Sequence, residues 1–119
     1  MERSRFIEHK GKKIYRIDCS GCKPADIHPL IDECARIVRA QPAKSVLTMT
    51  IAGGGKFDND IVSKLKELTK GNEPHVKKAA VVGMSGLYKV VLMAVAMFSN
   101  REFHMFDTEE EAKDFLVRH

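Results

Sequence analysis

Cys19 and Cys22 stand three positions apart in Cys19-Ser20-Gly21-Cys22, just before Lys23-Pro24. A C-x-x-C pair at a helix start can hold a reactive thiolate, because the helix N-terminus favours negative charge there. Dithiol redox chemistry is what this spacing would serve. Against it, the chain has no tryptophan to precede the pair, and Pro74, ahead of a strand, does not supply a loop facing it. The simpler reading is a turn that contains two thiols. Zinc asks more of the same residues. A structural site wants four ligands, and Cys34 and His28 are the nearest additions to the pair.

Two glycine-rich segments invite other chemistry. Gly53-Gly54-Gly55-Lys56 could cradle a phosphate on backbone N–H groups. It lacks the spacing and the Ser/Thr of a Walker loop. Asp58 stands where a dinucleotide fingerprint would place its last glycine, and Asp58 and Asp60 oppose an anion. A recognition loop fits better. Gly83-Met84-Ser85-Gly86-Leu87 resembles a nucleophile elbow without its final glycine. None of His9, His28, His75, His104 and His119 has the context of a catalytic base, so Ser85 reads as a helix cap.

These segments need elements to position them. Residues 4–9 and 13–19 read as strands about a Lys10-Gly11-Lys12 turn, which is a β-hairpin. In the second strand Tyr15 and Ile17 share one face, Ile14 and Arg16 the other. Residues 24–40 form a helix with Pro24 in its first turn and Pro29 near its start. Its apolar face is Ile27, Leu30, Ile31, Cys34, Ile37 and Val38. Residues 44–51 are a strand with Val46, Leu47, Met49 and Ile51 apolar on both faces, as a central strand needs. Asp58 or Asn59 caps a helix over 59–70, with Ile61, Val62, Leu65 and Leu68 inward. A strand over 76–82, a helix over 87–99 and a strand over 102–106 follow. A last helix is capped by Thr108, with Glu111 completing a capping box and Ala112, Phe115 and Leu116 inward.

The order β-β-α-β-α-β-α-β-α predicts an α/β fold: a mixed, mainly parallel sheet of four to five strands, flanked by helices, with an N-terminal β-hairpin. At 119 residues, 44% hydrophobic and 30% charged, the chain predicts one domain over 1–119 with a real core. The charge is +4. Its densest basic patch is Arg3, Arg5, Lys10, Lys12, Lys13 and Arg16. With no aromatic residues interleaved for base stacking, the patch reads as a solvated hairpin surface, and nucleic acid is not expected as a partner. No apolar run reaches the ~20 residues of a membrane span, so no stable membrane insertion is expected. The opening segment has no signal-peptide pattern, which predicts a cytoplasmic protein with free thiols.

The third helix has Lys89 as its only charge. A helix apolar on nearly every side is buried or touches something else apolar. Tyr88, Met93 and Met97 are candidates for an apolar-ligand wall or a dimer surface, since methionine-rich surfaces adapt to varied partners.

The runs KIYRIDCSG, VKKAAVVGMSGLYKVVL and SNREFHMFDTEEEAKDFL, with the glycine loop before the second helix, resemble short bacterial proteins related to STAS domains, the domains of anti-sigma-factor antagonists. The final run, with its F-D-T-x-x-E-A-x-x-F-L pattern, is the most specific. The resemblance covers nearly the whole chain. It implies a mixed sheet flanked by helices and a non-enzymatic role in protein interaction. STAS antagonists are switched by a phosphoserine at the start of the second helix. This sequence departs there, with Lys56-Phe57-Asp58-Asn59-Asp60 and its nearest serine, Ser63, inside the helix.

The expectation is therefore a non-enzymatic interaction module without a cofactor or metal. Its recognition surface is Gly54, Gly55, Lys56, Phe57, Asp58, Asn59 and Asp60, with Phe57 as apolar anchor. A homodimer is compatible with the third helix. The alternative is a carrier of a small apolar ligand or lipid, after the CRAL-TRIO-like members of the wider superfamily, with the third helix and its methionines as pocket wall.

Overall fold

Lys10 and Gly11 turn the chain back on itself. Both have positive φ, +50° and +80°, the pairing that a two-residue type I′ hairpin requires. The computed structural model describes residues 3–54, 56–83, 86–99 and 103–118. The hairpin joins β1 (Ser4–His9) to β2 (Lys12–Asp18), antiparallel, with His9 opposite Lys12. Then follow α1 (Pro24–Arg39), β3 (Val46–Ile51), α2 (Asn59–Asn72) and a 3-10 turn (Glu73–His75). β4 (Val76–Val82), α3 (Gly86–Ser99), β5 (His104–Phe106) and α4 (Glu109–Val117) complete the chain. The sheet order is β1-β2-β3-β4-β5, and every pair beyond the hairpin is parallel.

This order fixes where the helices lie. Each parallel crossover steps one strand in the same direction, so right-handed connections put α1, α2 and α3 on one face. Tyr15, Ile17 and Ala79 pack there against Leu30, Cys34 and Val38 of α1. Ala52 and Val81 meet Leu92 of α3. Among the described residues, α4 alone covers the other face, where Ala112 and Leu116 sit against Ile14, Leu47, Met49, Ala80 and Val82. The two faces of β2 are those its alternation predicted.

Several ends differ from the sequence expectation. β3 begins at Val46 because Lys44 takes φ +52°, and the Lys44 and Ser45 N–H groups donate to Pro74 and His75 carbonyls. α2 runs to Asn72, through Gly71, with Ile61 buried and Val62 only half-buried. α1 runs through Pro29, and its start is held by Asp26, which accepts from the Lys23 N–H. Thr108 caps α4 by accepting from the Glu111 N–H at 3.2 Å. The Glu111 carboxylate takes the Thr108 hydroxyl instead of the cap N–H, so the capping box is half formed.

α4 is also pinned through its ends. Arg16 grips Glu109 at its start with two hydrogen bonds, 2.9 and 3.2 Å. Lys12 and Lys78 donate to the Val117 and Arg118 carbonyls at its end, where a helix carries negative potential. The basic patch is thus largely engaged within the molecule. Lys10 pairs with Asp114, and Arg3 donates to the Asp18 and Ser20 carbonyls.

Candidate functional site

The loops after β2, β3 and β4 lie side by side at the carboxyl rim of the sheet, packed backbone to backbone. Gly21 N–H donates to the Gly53 carbonyl at 3.2 Å, and Lys56 N–H to the Cys22 carbonyl at 2.9 Å. A Cβ on Gly54 would sit 3.5 Å from the Gly21 nitrogen, and one on Gly83 3.4 Å from Gly53. Both glycines have positive φ, so the rim needs them for conformation and for closeness. The Gly21 and Lys56 N–H groups are spent on neighbouring loops and do not converge on an anion. Nor does the strand order ever reverse, so the sheet has no switch-point crevice of the nucleotide-binding kind.

The cysteines belong to the interior. Cys22 is wholly buried and Cys19 is 6% exposed. The turn between them closes with Cys22 N–H donating to the Cys19 carbonyl at 3.1 Å. Burial pushes the Cys19 thiol up to about 12, with Cys22 and Asp18 adding to the rise. Burial also raises Cys22. These shifts run opposite to those of a reactive dithiol. Cys19, Cys22 and Cys34 are free thiols, and no metal-binding group of His, Cys, Asp or Glu occurs among the described residues.

Below the rim lies an apolar cavity of about 110 Å³, between the sheet and helices α1, α2 and α3. Ile27, Leu30 and Ile31 of α1 line it, with Leu65 and Leu68 of α2 and Leu92 and Val95 of α3. Its floor is Ile17, Val81 and the central strand β3, which contributes Thr48 and Thr50. Phe57 and Phe103, both half-buried, complete the lining.

Four lining side chains carry polar groups besides the thiols. Thr69 donates to the Leu65 carbonyl within α2. Asn72 accepts from Arg39 at 2.9 Å and donates to the Cys34 sulfur at 3.7 Å. Thr48 and Thr50 place the remaining two hydroxyls on the cavity's sheet side. Valine would fill the same space in a dry core without a hydroxyl to satisfy.

Phe57, the apolar anchor expected from sequence, is half-buried. It packs inward, against the clusters around Ile27 and Ile61 and around Ala52 and Leu92. Gly54, Lys56, Asp58, Asn59 and Asp60 remain exposed, and Asp58 caps α2 by accepting from Ile61 N–H at 2.8 Å. Gly55 and Ser85 lie outside the described residues, as does the Tyr88 side chain. Met93 and Met97 do not line the cavity. They are 60% and 84% exposed, beside Val90 at 69%.

Sequence reasoning missed Thr48, Thr50, Leu92 and Val95. The signal for the threonines was present: two hydroxyls alternate with Leu47, Met49 and Ile51 on a strand buried on both faces. Comparison with protein-family models, with curated proteins and with solved structures finds no match.

Proposed function

We propose that the chain is a non-enzymatic binding domain that holds a small apolar ligand between its sheet and helices α1 to α3. The observation that carries this reading is the cavity of about 110 Å³. Native interiors leave few voids larger than a water molecule, and this one is somewhat smaller than the apolar cavity of about 150 Å³ that binds benzene. The ligand class follows from the lining: an apolar body about the size of one ring, bearing one hydrogen-bonding group for Thr48 or Thr50. The buried thiols with raised pKa support a binding role over redox chemistry.

Titration with benzene and with phenol, followed by methyl NMR, tests this. Saturable shifts are expected at Ile31, Leu92 and Val95, and they should vanish when Ala52→Leu fills the space. Absence of saturable shifts in the unaltered protein overturns the reading. Native mass spectrometry of protein from its own host should show a small extra mass that is lost on denaturation.

A second reading, the STAS-like interaction module, is favoured by the exposed row Gly54, Lys56, Asp58, Asn59 and Asp60 on a rim of interlocked loops. A polypeptide that co-purifies with the protein and is lost on combining Lys56→Glu with Asp60→Lys would support it. Unchanged retention in that variant counts against this surface.

A further inference from the structure

Helix α3 shows two faces. Leu92 and Val95 are buried, whereas Val90, Met93 and Met97 are exposed together. Ala94 is exposed beside them. The spacing 90, 93, 97 is the a-d-a spacing of a helix–helix seam. Large exposed apolar side chains scattered singly are ordinary, but a continuous stripe marks an interaction surface.

We infer that this stripe pairs with the same stripe of a second copy, α3 against α3, antiparallel about a twofold axis between Met93 and Ala94. Three features choose this occupant. The first is register. The helix runs from residue 86 to 99, so its midpoint falls beside Met93. Antiparallel pairing about an axis between Met93 and Ala94 then overlaps the helices along nearly their whole length, with Val90 facing Met97 of the other copy and the two Met93 side chains next to each other across the axis. The second is charge. Lys89 is the only charged residue of α3, one turn inside its N-terminus and exposed. In the antiparallel pair it approaches the C-terminal turn of the other helix, the negative end of the helix dipole. In a parallel pair the two lysines would face each other. The third is the small Ala94 at the flank, which lets the helices approach closely.

A lipid surface fits less well. Helices that lie in a membrane interface carry a face rich in Lys and Arg opposite the apolar one. The face of α3 opposite its stripe is packed into the protein, through Leu92 and Val95.

Four side chains cover less than the ~800 Å² per partner of a standard interface. The pair is therefore weak, with a dissociation constant on the order of 100 µM. Sedimentation velocity should show the mass rising from 13.4 kDa toward twice that value as concentration passes through this range. Met93→Glu places two carboxylates beside the axis and should leave a monomer throughout, with unchanged circular dichroism. Oxidation with glutathione disulfide gives the orientation, because the native thiols are buried. Met93→Cys should cross-link to itself. Val90→Cys should link only when mixed with Met97→Cys. A monomer at millimolar concentration, or self-linking of Val90→Cys, overturns the proposal. Because the stripe lies outside the cavity, ligand binding by the Met93→Glu monomer is expected to persist, so the two readings fail separately.

Discussion

Tyr15 shows what a single buried hydroxyl does here. Its side chain is fully buried beside Phe6, and its hydroxyl lies near Ser4 Oγ, yet neither oxygen makes a well-formed hydrogen bond. Burial pushes the phenol up to about 12, against a smaller opposing pull from Ser4. The Cys19 thiol is pushed to about the same value from 9.0. Both groups stay protonated in the folded chain at pH values where the unfolded chain ionises. Their contribution to stability is therefore complete below about pH 9 and is lost as the pH rises toward 12. Urea unfolding midpoints should fall steadily above pH 9. Tyr15→Phe removes an unpartnered hydroxyl, so its stability at pH 7 should be unchanged or higher by up to ~1 kcal/mol. Its loss between pH 9 and 11 should be shallower than that of the unaltered protein. A loss above ~1 kcal/mol at pH 7 would show that the hydroxyl has a partner after all.

Elements here are set by their ends as much as by their faces. Asp58 caps α2, which carries the Leu65–Leu68 wall of the cavity. Asp58→Ala should cost ~1 kcal/mol in urea unfolding, while Asp58→Asn, which keeps an acceptor, should cost little. Among the described residues α4 alone covers the second sheet face, and its first residue is held by Arg16. That guanidinium holds the Glu109 carboxyl below the usual carboxylate range, against a smaller cost of burial. The pairing thus stabilises the fold above the ordinary glutamate pKa and is lost as pH falls through the lowered one. Glu109→Gln should cost up to ~1 kcal/mol at pH 7, since part-exposed pairs contribute little. The cost should vanish in acid. An equal cost at pH 7 and pH 3 would mean that packing, not charge, is responsible.

At the scale of the whole molecule, the element order, the mainly parallel sheet with its opening hairpin and the flanking helices were legible because each element carries its own period, whereas the order of strands across the sheet was not. β2 alternates, α1 repeats at helical spacing, and Thr108 marks the last helix. Two further things were not legible. An all-apolar helix such as α3 has no sequence period to say which side faces in, and only its position over Val81 and Ala52 divides Leu92 and Val95 from Met93 and Met97. Phe57 likewise stands in a loop, where spacing carries no direction. The cavity arises from the same indeterminacy. Helices α1, α2 and α3 meet the sheet without filling the space above Thr48 and Thr50. Valine has threonine's shape without its hydroxyl, so threonine at both positions sets two polar groups on otherwise apolar walls. Thr48→Val and Thr50→Val together should therefore raise the unfolding midpoint of the empty protein. They should weaken phenol more than benzene, because only phenol presents a hydroxyl to the lost partners. Equal weakening of both ligands would assign the threonines to shape alone. A lower midpoint would mean that their hydroxyls already serve the fold, and the cavity would lose its polar end.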